Sequence, residues 1–327
     1  MSLRLGVVGV GSLGFHHARI ARELPNTALV GVHDANAERL THVERELGVR
    51  PFPELDELLD QVEACVIAVT TSEHEAVAMA ALERGVHVLI EKPIAPTIAA
   101  ADRILAAAER SSATVQIGHV ERFNAALRAC EPYLDEPMFV ESHRLAPFGV
   151  RGTDVAVVLD LMIHDLDLVL SLMKRPVTSV GAVGVPVLTN HPDIANARLE
   201  FEGGGVANLT ASRVSLERMR KIRFFQRSGY ISLDLANGTG SFLRVKQGLQ
   251  WEPGTPFPAA NLEEIVERIN LKGDQREPLR AELESFVAAL RCEAEVAVSG
   301  REGRDALAVA LEIVRRIEAY VTERTPA

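Results

Sequence analysis

Cysteine is scarce in this sequence, with three residues in 327, and Cys65, Cys130 and Cys292 lack the spacing of metal ligands. Scattered thiols are typical of unpaired cysteines in a reducing compartment, so we expect no disulfide, no metal site and a cytoplasmic location. A signal-peptide pattern is also lacking. The first apolar segment already reads as a strand, and Gly and Asp residues follow where a cleavage region would stand.

An excess of basic residues is missing as well, because 45 Asp and Glu residues outnumber 35 Lys and Arg residues and give a net charge of −10. This balance makes nucleic acid an unexpected partner. No uninterrupted apolar run reaches the roughly 20 residues of a membrane span, so we expect no membrane association. The length of 327 residues and the hydrophobic content of 47% are enough for two domains with substantial cores.

Glycine, in contrast, is concentrated directly after the apolar segment 3–8, in the run Gly-Val-Gly-Ser-Leu-Gly. In a strand–turn–helix unit, Gly9 permits the tight turn, Gly11 lets the backbone approach a pyrophosphate, and Gly14 lets helix and strand pack closely. The unpaired N–H groups at the helix start, around Ser12 and Leu13, would then face the phosphates. A glycine run alone is also compatible with an ordinary strand–helix turn.

Asp34 strengthens the interpretation as a dinucleotide site, because it ends the next apolar segment, twenty residues after Gly14. An acid at this place accepts hydrogen bonds from the adenosine ribose hydroxyls and repels a 2′-phosphate. Ala35 and Asn36 follow it, and the nearest basic residue, Arg39, is expected on the next helix, facing solvent. The predicted cofactor is therefore NAD rather than NADP.

Strand and helix patterns alternate through the first third of the chain, which predicts parallel strands joined by crossover helices. The expected strands are 3–8, 28–33, 64–69, 86–90 and 114–118, and the expected helices are 13–23, 37–47, 55–59, 73–84 and 98–110. We predict an α/β protein whose N-terminal Rossmann domain, a doubly wound parallel sheet, covers residues 1–120.

After residue 120 the pattern changes to a C-terminal α+β domain, residues 121–327, with a mostly antiparallel open sheet. Expected strands are 138–144, 177–187, 195–201, 206–212, 221–227, 231–234 and 241–245, with hairpin turns at 203–205 and 237–240. Expected helices are 122–130, 157–173, 278–291 and 303–321, and the last two could pack back on the first domain. Pro253, Pro256 and Pro258 mark an irregular connection.

Lys92 leaves the carboxyl end of the fourth strand in the sequence Ile90-Glu91-Lys92-Pro93. At this end of a parallel strand it would lie near the cofactor crevice, where a lysine can hydrogen-bond a substrate hydroxyl and stabilise alkoxide charge. A surface lysine in a loop is the alternative. Pro93 limits the backbone here, and the peptide bond before it can be cis or trans.

The predicted helix 157–173 is apolar almost all round, yet Asp160, His164 and Asp167 recur at positions i, i+4 and i+7. Burying these groups without partners would cost several kcal/mol. The stripe is therefore an active-site face with His164 as base and Asp160 orienting it, a structural hydrogen-bond network, or a solvated edge. A metal site would need a second ligand cluster, and the sequence offers none.

Together these residues resemble the Gfo/Idh/MocA oxidoreductase family over essentially the whole chain. The resemblance rests on the glycine run, Thr70-Thr-Ser-Glu-His74, Glu91-Lys92-Pro93 and the Asp160/His164/Asp167 spacing. It implies that Lys92 and His164 are the catalytic pair and that Asp160 assists and binds substrate. It also implies that Thr71, His74 and Glu91 line the cofactor pocket, and that the second sheet forms a homo-oligomer interface. Val69 and Thr70 replace the Thr-Pro usual in the family.

Within the family, the stretches 119–124 and 159–165 look like the branch that oxidises UDP-N-acetylglucosamine at its 3-hydroxyl, although Ala125 replaces an expected proline. This likeness makes Arg122 and Asn124 expected substrate contacts and a sugar or nucleotide sugar the expected substrate. An inositol or other polyol dehydrogenase, an NAD-dependent glycosidase and a non-catalytic NAD-binding regulator remain alternatives. The basic residues of 218–227 could meet a phosphorylated substrate, but such a run is more often a solvated sheet face or subunit interface.

Overall fold

The structure of the protein, a computed structural model, describes residues 2–149, 152–246, 262–274 and 276–324. The chain divides into two compact units. The first comprises Met1–Val120 with Arg276–Ala308, and the second comprises Glu121–Gln275 with Val309–Ala327. The proline-containing connection around residues 253–258 lies outside the described residues.

The first unit contains a six-stranded sheet in which every neighbouring pair of strands is parallel. The strands lie in the order β3-β2-β1-β4-β5-β6, which confirms the Rossmann prediction. Its elements are β1 (Leu3–Val8), α1 (Ser12–Glu23), β2 (Thr27–His33), α2 (Ala37–Leu47), β3 (Pro51–Phe52), α3 (Leu55–Leu59), β4 (Ala64–Ile67), α4 (His74–Leu82), β5 (His87–Glu91), α5 (Ile98–Ser111) and β6 (Val115–Gly118). The two-residue strand β3 was not predicted.

The second unit contains an eight-stranded sheet in the order β14-β13-β12-β11-β7-β10-β9-β8, and its elements continue the chain-order numbering. These are α6 (Ala125–Cys130), β7 (Phe139–Leu145), α7 (Ile163–Met173), β8 (Val177–Val185), β9 (Ile194–Phe201), β10 (Val206–Ser212), β11 (Met219–Gln226), β12 (Gly229–Asp234), β13 (Thr239–Val245), α8 (Leu262–Ile265) and β14 (Val266–Lys272). Strands β7 and β10 are parallel and the other neighbouring pairs are antiparallel, as predicted. Strand β14 was not predicted from the sequence.

The two last helices contribute to the cores of the two units. Helix α9 (Pro278–Leu290) places Leu283 and Phe286 in the core of the first unit, among residues of β1 and α1. Helix α10 (Gly300–Arg324) places Ile313 and Ile317 in the core of the second unit. Spacings of three and four residues give each helix one apolar face. No helix in the described part of the chain is both long and apolar enough to cross a membrane.

The helix predicted over 157–173 is present, but its first part is not regular α-helix. Residues Val158–Met162 form a wide π-type turn, in which the amide of Ile163 donates to the carbonyl of Val158, and the regular helix α7 begins only at Ile163. Asp160 therefore lies in the wide turn and His164 in the first turn of α7. Such turns are rare and occur often at functional sites.

Candidate active site

The turn between β1 and α1 accepts only glycine at two of the three predicted positions. Gly9 has a φ of +86°, and a Cβ atom built there would lie 2.6 Å from the backbone nitrogen of Val69. A Cβ atom at Gly14 would lie 1.8 Å from the carbonyl oxygen of Gly9, so the helix packs directly against the backbone of the turn. Both clashes explain why this turn requires glycine.

The start of α1 suits an anionic ligand. Gly11 occupies the N-cap position and has no side chain to bond the first amides of the helix, which include those of Ser12 and Leu13. Helix N-termini with exposed amides attract phosphate through these donors and through the helix dipole. The turn and the helix start therefore fit the pyrophosphate of NAD, whose nicotinamide supplies the hydride chemistry of dehydrogenases.

Asp34 is buried at the end of β2, and both of its carboxylate oxygens are engaged by backbone amides. Oδ2 accepts from Val10 at 2.8 Å and Oδ1 accepts from Asn36 at 2.8 Å. These bonds hold the carboxylate beside the glycine turn, where the sequence analysis predicts a ribose contact. Asn36, whose amide donates to Asp34, also caps α2, because its side chain accepts from the amides of Glu38 and Arg39. The orientation of the Asp34 carboxylate is thus linked to the start of the helix.

The position of Arg39 corrects one expectation. Its Nη1 lies 3.6 Å from Oδ2 of Asp34 and 3.7 Å from a Cβ atom built at Gly11, although the side chain is 56% exposed. The guanidinium thus borders the predicted ribose site instead of simply facing solvent. The proximity of Arg39 to Asp34 was not predicted from the spacing of the two residues. It arises because Arg39 lies in the first turn of α2, and the Asn36 cap places this end of the helix near Asp34.

Glu91 and Lys92 follow one another at the carboxyl end of β5. The Glu91 carboxylate is buried, with Oε1 2.8 Å from Nε2 of His17 and Oε2 accepting from the amide of Lys92 at 3.3 Å. Lys92 is half-buried, and the Lys92–Pro93 peptide bond, left open by the sequence, is cis. The hydrogen bond from the Lys92 amide to the Glu91 carboxylate therefore helps to fix the backbone at Lys92.

A third buried group completes a cluster that the sequence analysis missed. The cluster consists of His17 of α1, Glu91 of β5 and Glu282 of α9. Each contributes one imidazole nitrogen or carboxylate oxygen, and these three atoms lie within 4.8 Å of one another, a spacing that could hold a metal ion. The three residues come from distant parts of the chain, so no local spacing signalled them. This cluster differs from the expectation that no ligand set would be found.

His74 lies at the start of α4 and connects the loops that follow β4 and β5. Its Nδ1 is 2.9 Å from the carbonyl oxygen of Pro93, and its Nε2 is 3.3 Å from that of Val69. Burial lowers the pKa of His74, against opposing contributions from these carbonyls and from Glu91. Thr71 begins the short 3-10 helix just before it. Cofactor contacts by Thr71 and His74 remain predictions.

In the second unit, the predicted polar stripe separates into two kinds of residue. Asp167 accepts two hydrogen bonds from Arg122, at 2.6 and 2.8 Å, and both side chains are largely buried. This pair fits the structural network that was the alternative to an active-site face. Asp160 and His164 are half-buried and lie on the approach to α7 and in its first turn. A Cβ atom built at Gly152 would lie 2.6 Å from Oδ2 of Asp160.

The two expected substrate contacts also have structural partners. The guanidinium of Arg122 is held by Asp167, as above. Asn124 caps α6 by accepting from Ala126 at 3.0 Å, and its amide donates to Glu121 at 3.0 Å and to the carbonyl of Leu235 at 2.8 Å. These contacts are enough to explain the presence of both residues on structural grounds alone. Their contact with substrate stays a prediction.

Comparisons with known proteins agree with this arrangement. Residues 3–119 match the oxidoreductase family with an NAD-binding Rossmann fold, and residues 112–232 match the GFO/IDH/MocA C-terminal domain. The chain is 38% identical to UDP-N-acetylglucosamine 3-dehydrogenase of Acidithiobacillus ferrooxidans over 320 residues, which cover 98% of each chain. The chain belongs to the Gfo/Idh/MocA family. It is an NAD-binding dehydrogenase, as the sequence analysis expected.

A solved structure and a second relative agree with this family assignment. A solved structure of the Acidithiobacillus ferrooxidans enzyme has a TM-score of 0.89, with 38% identity, and covers 98% of this chain and 99% of that one. Myo-inositol 2-dehydrogenase of Thermotoga maritima is 24% identical over 335 residues, which cover 97% of this chain and 96% of the relative. The family therefore includes dehydrogenases named for a nucleotide sugar and for a free polyol.

Proposed function

We propose that the protein oxidises a secondary hydroxyl of a nucleotide sugar, and specifically the 3-hydroxyl of UDP-N-acetylglucosamine, with NAD as acceptor. The similarity of 38% over 98% of both chains to an enzyme named for this reaction carries the proposal. The half-buried Asp160 in the wide turn, the half-buried His164 in the first turn of α7, and Lys92 after β5 supply groups suited to alcohol oxidation. The three cysteines are free thiols, which fits a cytoplasmic reaction.

In the proposed reaction, His164 accepts the proton of the substrate hydroxyl, and Lys92 donates a hydrogen bond to the same oxygen as negative charge develops on it. A histidine suits this task because its unprotonated form is available near neutral pH. Asp160 orients the base or the substrate. The carbinol hydride passes to NAD when the cofactor is bound, and the products are a 3-keto sugar nucleotide, NADH and one proton.

The experiment is NADH formation across a panel of UDP-N-acetylglucosamine, UDP-glucose, N-acetylglucosamine and myo-inositol. Reduction of the product with borodeuteride should place deuterium at C3 of the sugar. His164→Ala and Lys92→Ala should each lose most turnover with NAD affinity near wild type, whereas His191→Ala, an exposed histidine, should keep both. Oxidation of inositol alone would reject the proposal, and sugar release without net NADH would indicate a glycosidase.

We also propose that the chain forms a homo-oligomer through the second sheet. Phe139, Phe225 and Tyr230 lie side by side on β7, β11 and β12, with ring centroids 5.4 and 4.8 Å apart, and all three are partly exposed. A surface aromatic cluster of this kind is typical of an interface. Light scattering should give a mass above one chain, and Phe225→Glu should reduce it. A wild-type monomer would reject this part.

A further inference from the structure

Strand β11 divides the basic run of 218–227 between two faces of the sheet. Side chains alternate along a strand, and Ile222 and Phe224 are buried in the core of the second unit. Arg220, two residues before Ile222, lies on that same face. Arg223 lies on the opposite face, where it pairs with Glu141 at 2.5 Å. The run is therefore not one basic patch.

The face that carries Arg220 is the one that α7 covers. Arg220 is opposite Arg144 of β7 in the sheet register. Arg144 donates two hydrogen bonds to Asp165 of α7, at 2.9 and 2.8 Å, and one to Glu121 at 2.8 Å. Asp165 directly follows His164 in the chain. Arg220 thus lies in the neighbourhood of the helix that carries the proposed base.

Arg144 and Arg220 differ in how far their charges are satisfied. The side chain of Arg144 is 3% exposed and holds two carboxylates, whereas that of Arg220 is 44% exposed. The contact of Arg220 with Glu121 is 3.5 Å long, and Glu121 is already shared with Arg144 and Asn124. The planar guanidinium of Arg220 can therefore still present donors to an anion from solvent.

The charges around Arg220 leave an excess of one positive charge. Arg220 interacts electrostatically with two other guanidinium groups, those of Arg144 and Arg218, and with two carboxylates, those of Glu121 and Asp165. Burial lowers the pKa of Arg220 and the neighbouring Arg144 lowers it further, against raising contributions from Glu121 and Asp165. An anionic ligand with several oxygen acceptors would offset this excess and bind the guanidinium bidentately.

We propose that Arg220 is an anion-binding residue of the substrate site and contacts the diphosphate of the nucleotide sugar, with Arg218 adding attraction. This inference rests on the proposed function, because only a nucleotide sugar brings a diphosphate to this site. It assigns substrate recognition to a residue outside the Lys92, Asp160 and His164 set. It also gives a physical reason for preferring a nucleotide sugar over a neutral polyol.

The test compares Arg220→Gln with Lys221→Gln, a neighbouring charge removed from the opposite face of the strand. Calorimetric titration with UDP alone should show affinity at least about tenfold weaker for Arg220→Gln, as expected for loss of a charge-assisted contact. The KM for UDP-N-acetylglucosamine should rise with kcat nearly unchanged, because a contact to a remote group binds substrate and transition state equally. Lys221→Gln should match wild type, and NAD affinity should stay constant in both.

Increasing salt should weaken UDP binding more in wild type than in Arg220→Gln, because an ionic contact is screened. If Arg220→Gln does not fold, Arg220→Lys keeps the charge without the planar fork and should show a smaller loss of UDP affinity. Wild-type UDP affinity and KM in the variant, with oxidation of UDP-N-acetylglucosamine intact, would overturn this assignment alone. Failure of the wild type to bind UDP, with oxidation of inositol only, would overturn the proposed function as well.

Discussion

Arg213 and Asp193 form a buried ion pair, with Nε of the arginine 3.3 Å from Oδ1 of the aspartate. The guanidinium also donates hydrogen bonds to the carbonyl oxygens of Gly152 and Val155. Gly152 is the residue that leaves no room for a Cβ atom beside the Asp160 carboxylate. The pair therefore anchors the segment that leads into the wide turn, and with it the surroundings of Asp160.

Asp193→Asn should destabilise the protein at pH 7, and the difference should shrink in acid. Burial alone would raise the pKa of Asp193, but hydrogen bonds from the amides of Leu188, Thr189 and Val187 outweigh it and lower the pKa to about 2. A carboxyl group with a lowered pKa contributes stability that is complete above its unfolded value of 3.8 and is lost as pH falls towards 2. The contribution is about 2 kcal/mol.

Urea unfolding of wild type and Asp193→Asn from pH 7 to pH 2.5 would measure this difference. Asp234→Asn is the matched control, because Asp234 also accepts from two backbone amides but is only half-buried, at the end of β12. It should change the free energy of unfolding by less than about 1 kcal/mol. A constant gap between wild type and Asp193→Asn across the pH range would contradict the assigned role.

Asp165→Asn should destabilise the second unit strongly. The mutation removes the negative partner of Arg144, whose charge is almost fully buried, and burial without a full partner is costly. Breaking one side of such a pair costs about 3–5 kcal/mol. Glu200→Gln, which removes the exposed partner of Arg198, should cost less than about 1 kcal/mol. Denaturant unfolding of both variants decides between a structural pair and a dispensable one.

The elements predicted correctly are those whose signals are local. The run from β1 to α1 was recognisable because glycine spacing, an apolar strand and Asp34 lie within about 35 consecutive residues, and the structure supplies the clashes that require Gly9 and Gly14. Strand β14 was missed, since its pairing with β13 comes from tertiary contacts rather than from a strong alternation. Long-range pairing of this kind has no signal in a single sequence.

The candidate site shows the same division. Lys92 and His164 are predicted as site residues from motifs, and their roles stay predictions. The pairing of Asp167 with Arg122 has no local signal, because the two residues are 45 positions apart. The wide turn at Val158–Met162 was also missed, because a run apolar almost all round reads as one helix whichever turn it contains. Sequence therefore predicted which chemical groups are present, whereas their partners required the fold.

His74→Asn should flatten the pH dependence of stability near pH 6. Burial lowers the pKa of His74, so the unfolded chain binds the proton more readily than the folded one. The stabilising contribution is complete above the unfolded value of 6.5 and is lost as pH falls below it. Asparagine keeps a donor near the Pro93 carbonyl but cannot titrate.

Thermal unfolding of wild type and His74→Asn between pH 8 and pH 5 measures this effect. The midpoint of wild type should fall more steeply below pH 6.5 than that of the variant. His191→Asn, which changes an exposed histidine, should follow wild type at every pH. Parallel curves for wild type and His74→Asn would show that His74 does not contribute to the pH dependence.

Asp34→Asn should shift cofactor preference from NAD towards NADP. The substitution removes the charge that repels a 2′-phosphate, while the amide oxygen can still accept from one of the two backbone donors. Arg39, 3.6 Å away in the wild type, would then lie next to the phosphate with no carboxylate to pair with it there. We expect the ratio of kcat/KM for NADP over NAD to rise at least about tenfold, a change of about 1.4 kcal/mol.

Adding Arg39→Ala to Asp34→Asn tests whether this arginine carries the gain. The double variant should lose most of the improvement with NADP, whereas Arg45→Ala in the same background should retain it, because Arg45 lies in the last turn of α2 and pairs with Glu46. If the preference for NADP were the same with and without Arg39, the guanidinium beside Asp34 would have no part in phosphate recognition. The repulsion by Asp34 would then be the whole basis of cofactor choice.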